Sequence, residues 1–164
     1  MASSTDRIEK QVLLHVPLAR VWRAISDAQE FGSWFGVRFD GPFAGGARVT
    51  GRMVPTTVDS EVAESQKPYE GRRFEITVDR MEPMRLFSFR WHPYAVEPDV
   101  DYSNEPTTLV VFELEETADG TRLTIIESGF DGIPLARRAQ AFEMNEGGWE
   151  AQLNLIRKYL ARRV

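Results

Sequence analysis

Near the C-terminus, Leu135, Ala139, Phe142, Trp149, Leu153, Ile156 and Leu160 recur at helical spacing over more than twenty residues. An apolar stripe of that length needs an equally long partner surface, because most helix stability in a protein comes from burying one face. The span from Leu135 to Ala161 predicts a helix of about 27 residues, roughly 40 Å long at 1.5 Å per residue. Two glycines, Gly147 and Gly148, interrupt the stripe. Each costs about 1 kcal/mol relative to alanine in a helix interior, so the pair predicts a kink or a close approach by another group. Stepping by seven from Ala139 gives Glu146, then Leu153 and Leu160, which projects Glu146 from the face to be buried unless a kink at the glycines rotates it to the surface.

The partner surface is legible upstream. Residues 8–16 (IEKQVLLHV) alternate as a strand, with Val12, Leu14 and Val16 on one parity. Pro17 opens a helix through PLARVWRAISDA, whose Leu18, Val21, Trp22 and Ile25 share a face. A second short helix over QEFGSWFG carries Phe31, Trp34 and Phe35. From Val37 onward the period becomes two. In RRFEITVDR, Phe74, Ile76 and Val78 alternate with charged and polar neighbours; Phe87, Phe89 and Trp91 share a face, as do Val110, Phe112 and Leu114. Asp119-Gly120 marks a tight turn into TRLTIIES, where Leu123 and Ile125 share a parity that then delivers Glu127. Two long connections, 55–71 and 92–106, are rich in proline, acidic and turn residues and read as loops. Residues 1–7 read as a flexible tail and 8–164 as a single α+β domain: a curved antiparallel sheet wrapped around the C-terminal helix, with two short helices after the first strand.

Several function classes are disfavoured. The absence of cysteine removes disulfides, thiolate metal sites and a thiol nucleophile. His15 and His92 stand far apart with no ligand-spaced companion, so no metal and no cofactor are expected. A net charge of -5 argues against nucleic acid as a partner. No run of about 18 apolar residues exists to enter a membrane, and MASSTDRIEK lacks the apolar segment of a signal peptide, so the expected location is cytoplasmic. The glycines of GPFAGGARVTG lack the lysine and spacing of a phosphate loop.

The opening strand with Val16-Pro17 and RVWRAISD, the Trp34-Phe35 pair, LFSFRWH, the hairpin TRLTIIESGF and finally GGWEAQLNLIRKYL resemble, in order and spacing, the START-like or SRPBCC superfamily. Within it, the chain is similar to the domain family of heat shock protein 90 ATPase activator homologues. The resemblance covers nearly the whole chain; the acidic insertions after Pro55 and His92 depart from it. It implies a helix-grip fold with an apolar pocket between sheet and terminal helix, used across the superfamily for lipids, polyketides and other hydrophobic molecules.

The residues themselves offer Trp34, Phe35, Phe74, Phe87, Phe89, Trp91, Phe112, Phe142, Trp149 and Leu153 as pocket walls, although large aromatics more often simply fill a core. Glu127 and Glu146, on otherwise apolar parities, and His92, at a strand end, are the candidate acid–base groups. For Glu127 the competing expectation is solvent or an arginine such as Arg90 or Arg52 as partner. Three readings follow: a non-catalytic binder of a small hydrophobic ligand of lipid, polyketide or aromatic type; a cyclase, dehydratase or hydrolase using two of those three groups; and a stress-related co-chaperone-like interaction module. A homodimer is compatible with all three.

Overall fold

The computed structural model describes residues 6–95 and 99–161, with the side chain of Phe74 outside the described part. Seven strands form one antiparallel sheet: β1 (Arg7–Leu14), β2 (Val37–Phe39), β3 (Arg48–Met53), β4 (Arg73–Glu82), β5 (Leu86–Trp91), β6 (Thr108–Thr117) and β7 (Gly120–Ser128). Their order is β1-β7-β6-β5-β4-β3-β2. The chain crosses from one edge to the other through α1 (Leu18–Ser26) and α2 (Ala28–Phe35), and α4 (Leu135–Ala161) lies across the same side, packed on β1, α1 and α2. This is an α+β helix-grip architecture. It follows from two amphipathic surfaces, a half-buried sheet and a long helix, each covering the other.

Local chemistry fixes the corners. Asp27 caps α2 by accepting from the amides of Gln29 and Glu30 at 2.9 and 3.0 Å. Gly36 ends that helix in the left-handed region at φ 99°, as the turn into β2 requires. Gly120 opens β7 at φ 149°, where a Cβ would stand 2.1 Å from the Leu14 carbonyl oxygen. Only glycine lets the β6–β7 hairpin lie that close to the end of β1.

The core is an aromatic cluster centred on Phe31, whose ring lies 4.7 Å from Trp34, 5.1 Å from Phe35, 5.6 Å from Phe43 and 5.9 Å from Phe112. Trp34, Phe87, Phe89 and Phe112 are fully buried within it. The Trp34 indole donates to the Ala24 carbonyl at 2.9 Å, tying α2 to α1.

Three expectations need correction. Connection 55–71 is not an irregular loop: Asp59 accepts from the amides of Glu61 and Val62 and starts α3 (Ser60–Gln66), which a short 3₁₀ turn continues to Tyr69. The glycine pair neither breaks the helix nor admits a close neighbour. α4 runs through it without interruption, and a Cβ at either glycine would meet nothing within 4 Å. Glu146, together with Leu135 and Ala139, is exposed, Leu135 at 79%. The physical reason is that seven-residue steps drift about 20° per heptad around a straight helix. Counting back from Leu160 therefore leaves the buried seam before Ala139 is reached. The seam instead passes through Trp149, Asn145, Phe142 and Ala141.

Candidate functional site

Glu127 comes from the inward parity of β7, opposite Ile8 on β1 and Val110 on β6. Its carboxylate is fully buried. No arginine reaches it among the described residues; four neutral donors do. Oε2 accepts from the Trp91 indole at 2.7 Å and the Thr108 hydroxyl at 2.5 Å. Trp91 and Thr108 are themselves a cross-strand pair of β5 and β6. Oε1 accepts from the Asn145 amide at 2.9 Å and the Trp149 indole at 2.8 Å, side chains one turn apart on α4. One oxygen is held by the sheet and the other by the helix. A carboxylate has about four acceptor positions, and here each is taken, which is how the charge is accommodated away from water.

This clamp sets the geometry of two indoles. Trp91 and Trp149 stack with centroids 5.5 Å apart and planes 25° from parallel, and Phe35 meets them at 6.2 and 6.1 Å. All three side chains form the inner wall of a cavity of about 680 Å³. The space lies beside the middle of α4 and outside the packed interior, which the Phe31 cluster fills between sheet and helix. Met53 of β3 and residues Tyr69, Arg72, Arg73 and Glu75 form one side. His92 and the following loop, through Tyr94, Ala95 and 100–103, form another, and α4 contributes Met144, Asn145, Gly148, Trp149 and Gln152. The open space over Gly148 is part of this cavity. A second cleft, of about 720 Å³ between α2 and β2, has a more polar wall and no stacked rings.

Of the residues singled out by sequence, Phe35, Trp91, His92 and Trp149 line the cavity. Trp34, Phe87, Phe89, Phe112 and Leu153 are core, and Phe142 packs edge-on against Phe130 at 5.2 Å, away from the cavity. Phe74 occupies β4 opposite Gly51, but its side chain lies outside the described residues. Glu127 stands behind the indoles and Glu146 on the outer face of α4, so the two carboxylates do not converge. The His92 ring donates from Nε2 to the Glu105 carbonyl at 3.1 Å.

The loop after His92 is pinned by Arg137. Its guanidinium donates twice to Glu105 Oε1, at 2.9 and 2.6 Å, and to the Pro93 carbonyl at 2.8 Å. It also lies 4.7 Å over the Tyr102 ring. On the rim, the Ser103 hydroxyl and amide hold the Asp101 carboxyl below the usual aspartate range, with His92 adding to the effect. Sequence reasoning missed Asn145, Gln152, Tyr94, Tyr102 and Arg137. Asn145 alone carried a signal, standing four residues before Trp149 on the same helix face.

The model of the family described as activator of Hsp90 ATPase homolog 1-like protein matches residues 15–161. The chain belongs to that family. No curated protein matches it. Among solved structures, DynU16, from the dynemicin biosynthetic locus, is 26% identical with a TM-score of 0.65; the match covers 94% of this chain and 47% of DynU16, so this chain spans about half of that protein. Protein MLL2253 of Mesorhizobium loti is 20% identical at a TM-score of 0.70, over 96% of this chain and 98% of that one. A protein of Arthrobacter aurescens is 17% identical at 0.73, over 100% and 91%. These last two establish the shared fold.

Proposed function

We propose that this chain binds a small, flat, largely apolar molecule of aromatic or polyketide type in the cavity beside Trp91 and Trp149. The observation that carries the reading is the stacked indole pair on the cavity wall, oriented by a carboxylate that is itself withdrawn from the cavity. A single carboxylate serving both indoles holds them as a pair, whereas the core indole of Trp34 has a backbone carbonyl of its own. Walls of this kind favour a ligand with a π-face, which gains about 0.5–1.5 kcal/mol per ring contact beyond simple burial, and the volume lies within the roughly 300–1,000 Å³ of ligand sites. Similarity to a protein of a biosynthetic locus is in keeping with a small-molecule role.

Catalysis has less support. It required two of Glu127, Glu146 and His92 on one ligand position, and only His92 lines the cavity. The test is non-denaturing mass spectrometry of freshly purified protein, followed by organic extraction. A stoichiometric apolar adduct is expected and names the ligand class. An unliganded mass, combined with no uptake of naphthalene-type probes, sinks the reading.

A further inference from the structure

The buried polar groups around the cavity are nearly all committed. Both indole N–H groups point to Glu127, and all four acceptor positions of Glu127 are occupied. Gln152 Nε2 donates to the Phe35 carbonyl at 3.3 Å, which assigns the amide's nitrogen and oxygen, because the flipped amide would set oxygen against oxygen. What remains is Gln152 Oε1: among the described residues it is the one buried side-chain polar atom without a hydrogen-bond partner. Gln152 lines the cavity one turn beyond Gly148 and beside Trp149. An unmet buried acceptor is costly; the terminal torsion of glutamine is soft enough to turn the oxygen toward the cavity, and the Phe35 carbonyl then keeps Gln66 Nε2 as its donor.

From this we infer that the cavity selects ligands that donate a hydrogen bond, a phenol, enol or N–H on a flat ring system, with Gln152 Oε1 as the acceptor that reads it. The inference rests on the binding role proposed above and adds a specificity residue to it. The indole N–H groups are committed to Glu127, so the indoles do not distinguish a hydroxyl from its methyl ether. Gln152 does, because a methoxy oxygen presents a second acceptor to an unpaired acceptor.

The experiment is isothermal titration calorimetry of 2-naphthol and 2-methoxynaphthalene against the wild-type chain and Gln152→Met. The Phe35 carbonyl keeps a donor in the variant, since Gln66 Nε2 also reaches it at 3.2 Å. The wild type is expected to prefer 2-naphthol, and that preference to shrink by about two- to tenfold in Gln152→Met, the value of one hydrogen bond. Gln152→Glu keeps an acceptor and retains the preference, and Gln152→Leu, which removes the acceptor as methionine does, carries the test if the methionine variant does not fold. An unchanged preference ratio in Gln152→Met overturns the assignment of Gln152 while leaving the cavity reading intact. Loss of preference in Gln152→Glu as well also overturns it, because the effect is then one of packing. Failure of both probes to bind the wild type removes the binding role itself, and the inference with it.

Discussion

Replacing Glu127 by glutamine keeps the shape of the side chain and changes one acceptor into a donor. If the new NH₂ stands at the Oε2 position, the Thr108 hydroxyl can turn to accept from it, but the Trp91 indole N–H loses its acceptor. If it stands at the Oε1 position, Asn145 can flip to present its oxygen, and the Trp149 indole N–H is left instead. Either way one buried indole donor is orphaned, at about 1–3 kcal/mol. The remaining bonds fall from charge-assisted to neutral strength, while removal of a buried charge offsets part of that loss. A net destabilisation of about 2 kcal/mol is expected, or about 4–8 °C in Tm for a domain of this size. Urea unfolding followed by circular dichroism measures the first. The four indole N–H resonances report the second consequence: those of Trp91 and Trp149 move, while that of Trp34, bonded to the Ala24 carbonyl, stays. A variant with unchanged stability and four unshifted indole resonances would refute the clamp.

Arg137→Ala should release the 92–106 loop, because it removes the bonds to Glu105 and Pro93; amide exchange in residues 99–107 should accelerate while that of β6 and β7 does not, and equal exchange in both would exclude a clasp. Gly147→Ala should raise stability by about 0.5–1 kcal/mol, since a Cβ there meets nothing within 4 Å and helix propensity alone changes. Gly148→Phe, at the cavity wall, should leave the fold intact and abolish probe uptake; normal uptake would show that the ligand lies elsewhere. Gly120→Ala should destabilise severely, as its Cβ would fall 2.1 Å from the Leu14 carbonyl oxygen, and a Tm within a degree of wild type would contradict that contact. Asp59 is held below the usual aspartate range, chiefly by its hydrogen bond to Lys158. With the folded value depressed, its contribution is present above the ordinary aspartate pKa of about 4 and is lost as pH falls through the lower folded value. Acid titrations of stability should therefore be less steep below pH ~4 in Asp59→Asn than in wild type.

Legibility in the sequence varied with the range of the interaction. The bounds of α4 were readable because helical periodicity repeats over its whole length, and the sheet because alternation marks each strand. Glu127 was readable as an inward residue from Leu123 and Ile125 on the same parity. Helix α3 was not, since its signal was a single capping aspartate within a polar, acidic stretch and no residue of it is buried. Glu146 was left between core and surface because the heptad count ignored the drift of a straight helix, which exposes it without any kink.

By itself, then, the sequence determined which faces must be covered, because burial of alternating or helical stripes is a local property of the chain. It also set two carboxylates, Glu127 and Glu146, on faces read as apolar, of which the fold covers only Glu127. Which donors meet that carboxylate was decided only by the tertiary structure: Trp91, Thr108, Asn145 and Trp149 lie 18 to 36 residues away from it along the chain. Strand register and the seating of α4 bring them to one point. The cavity has the same origin, since an opening is where packing of separate elements ends, and no single element records where that will be.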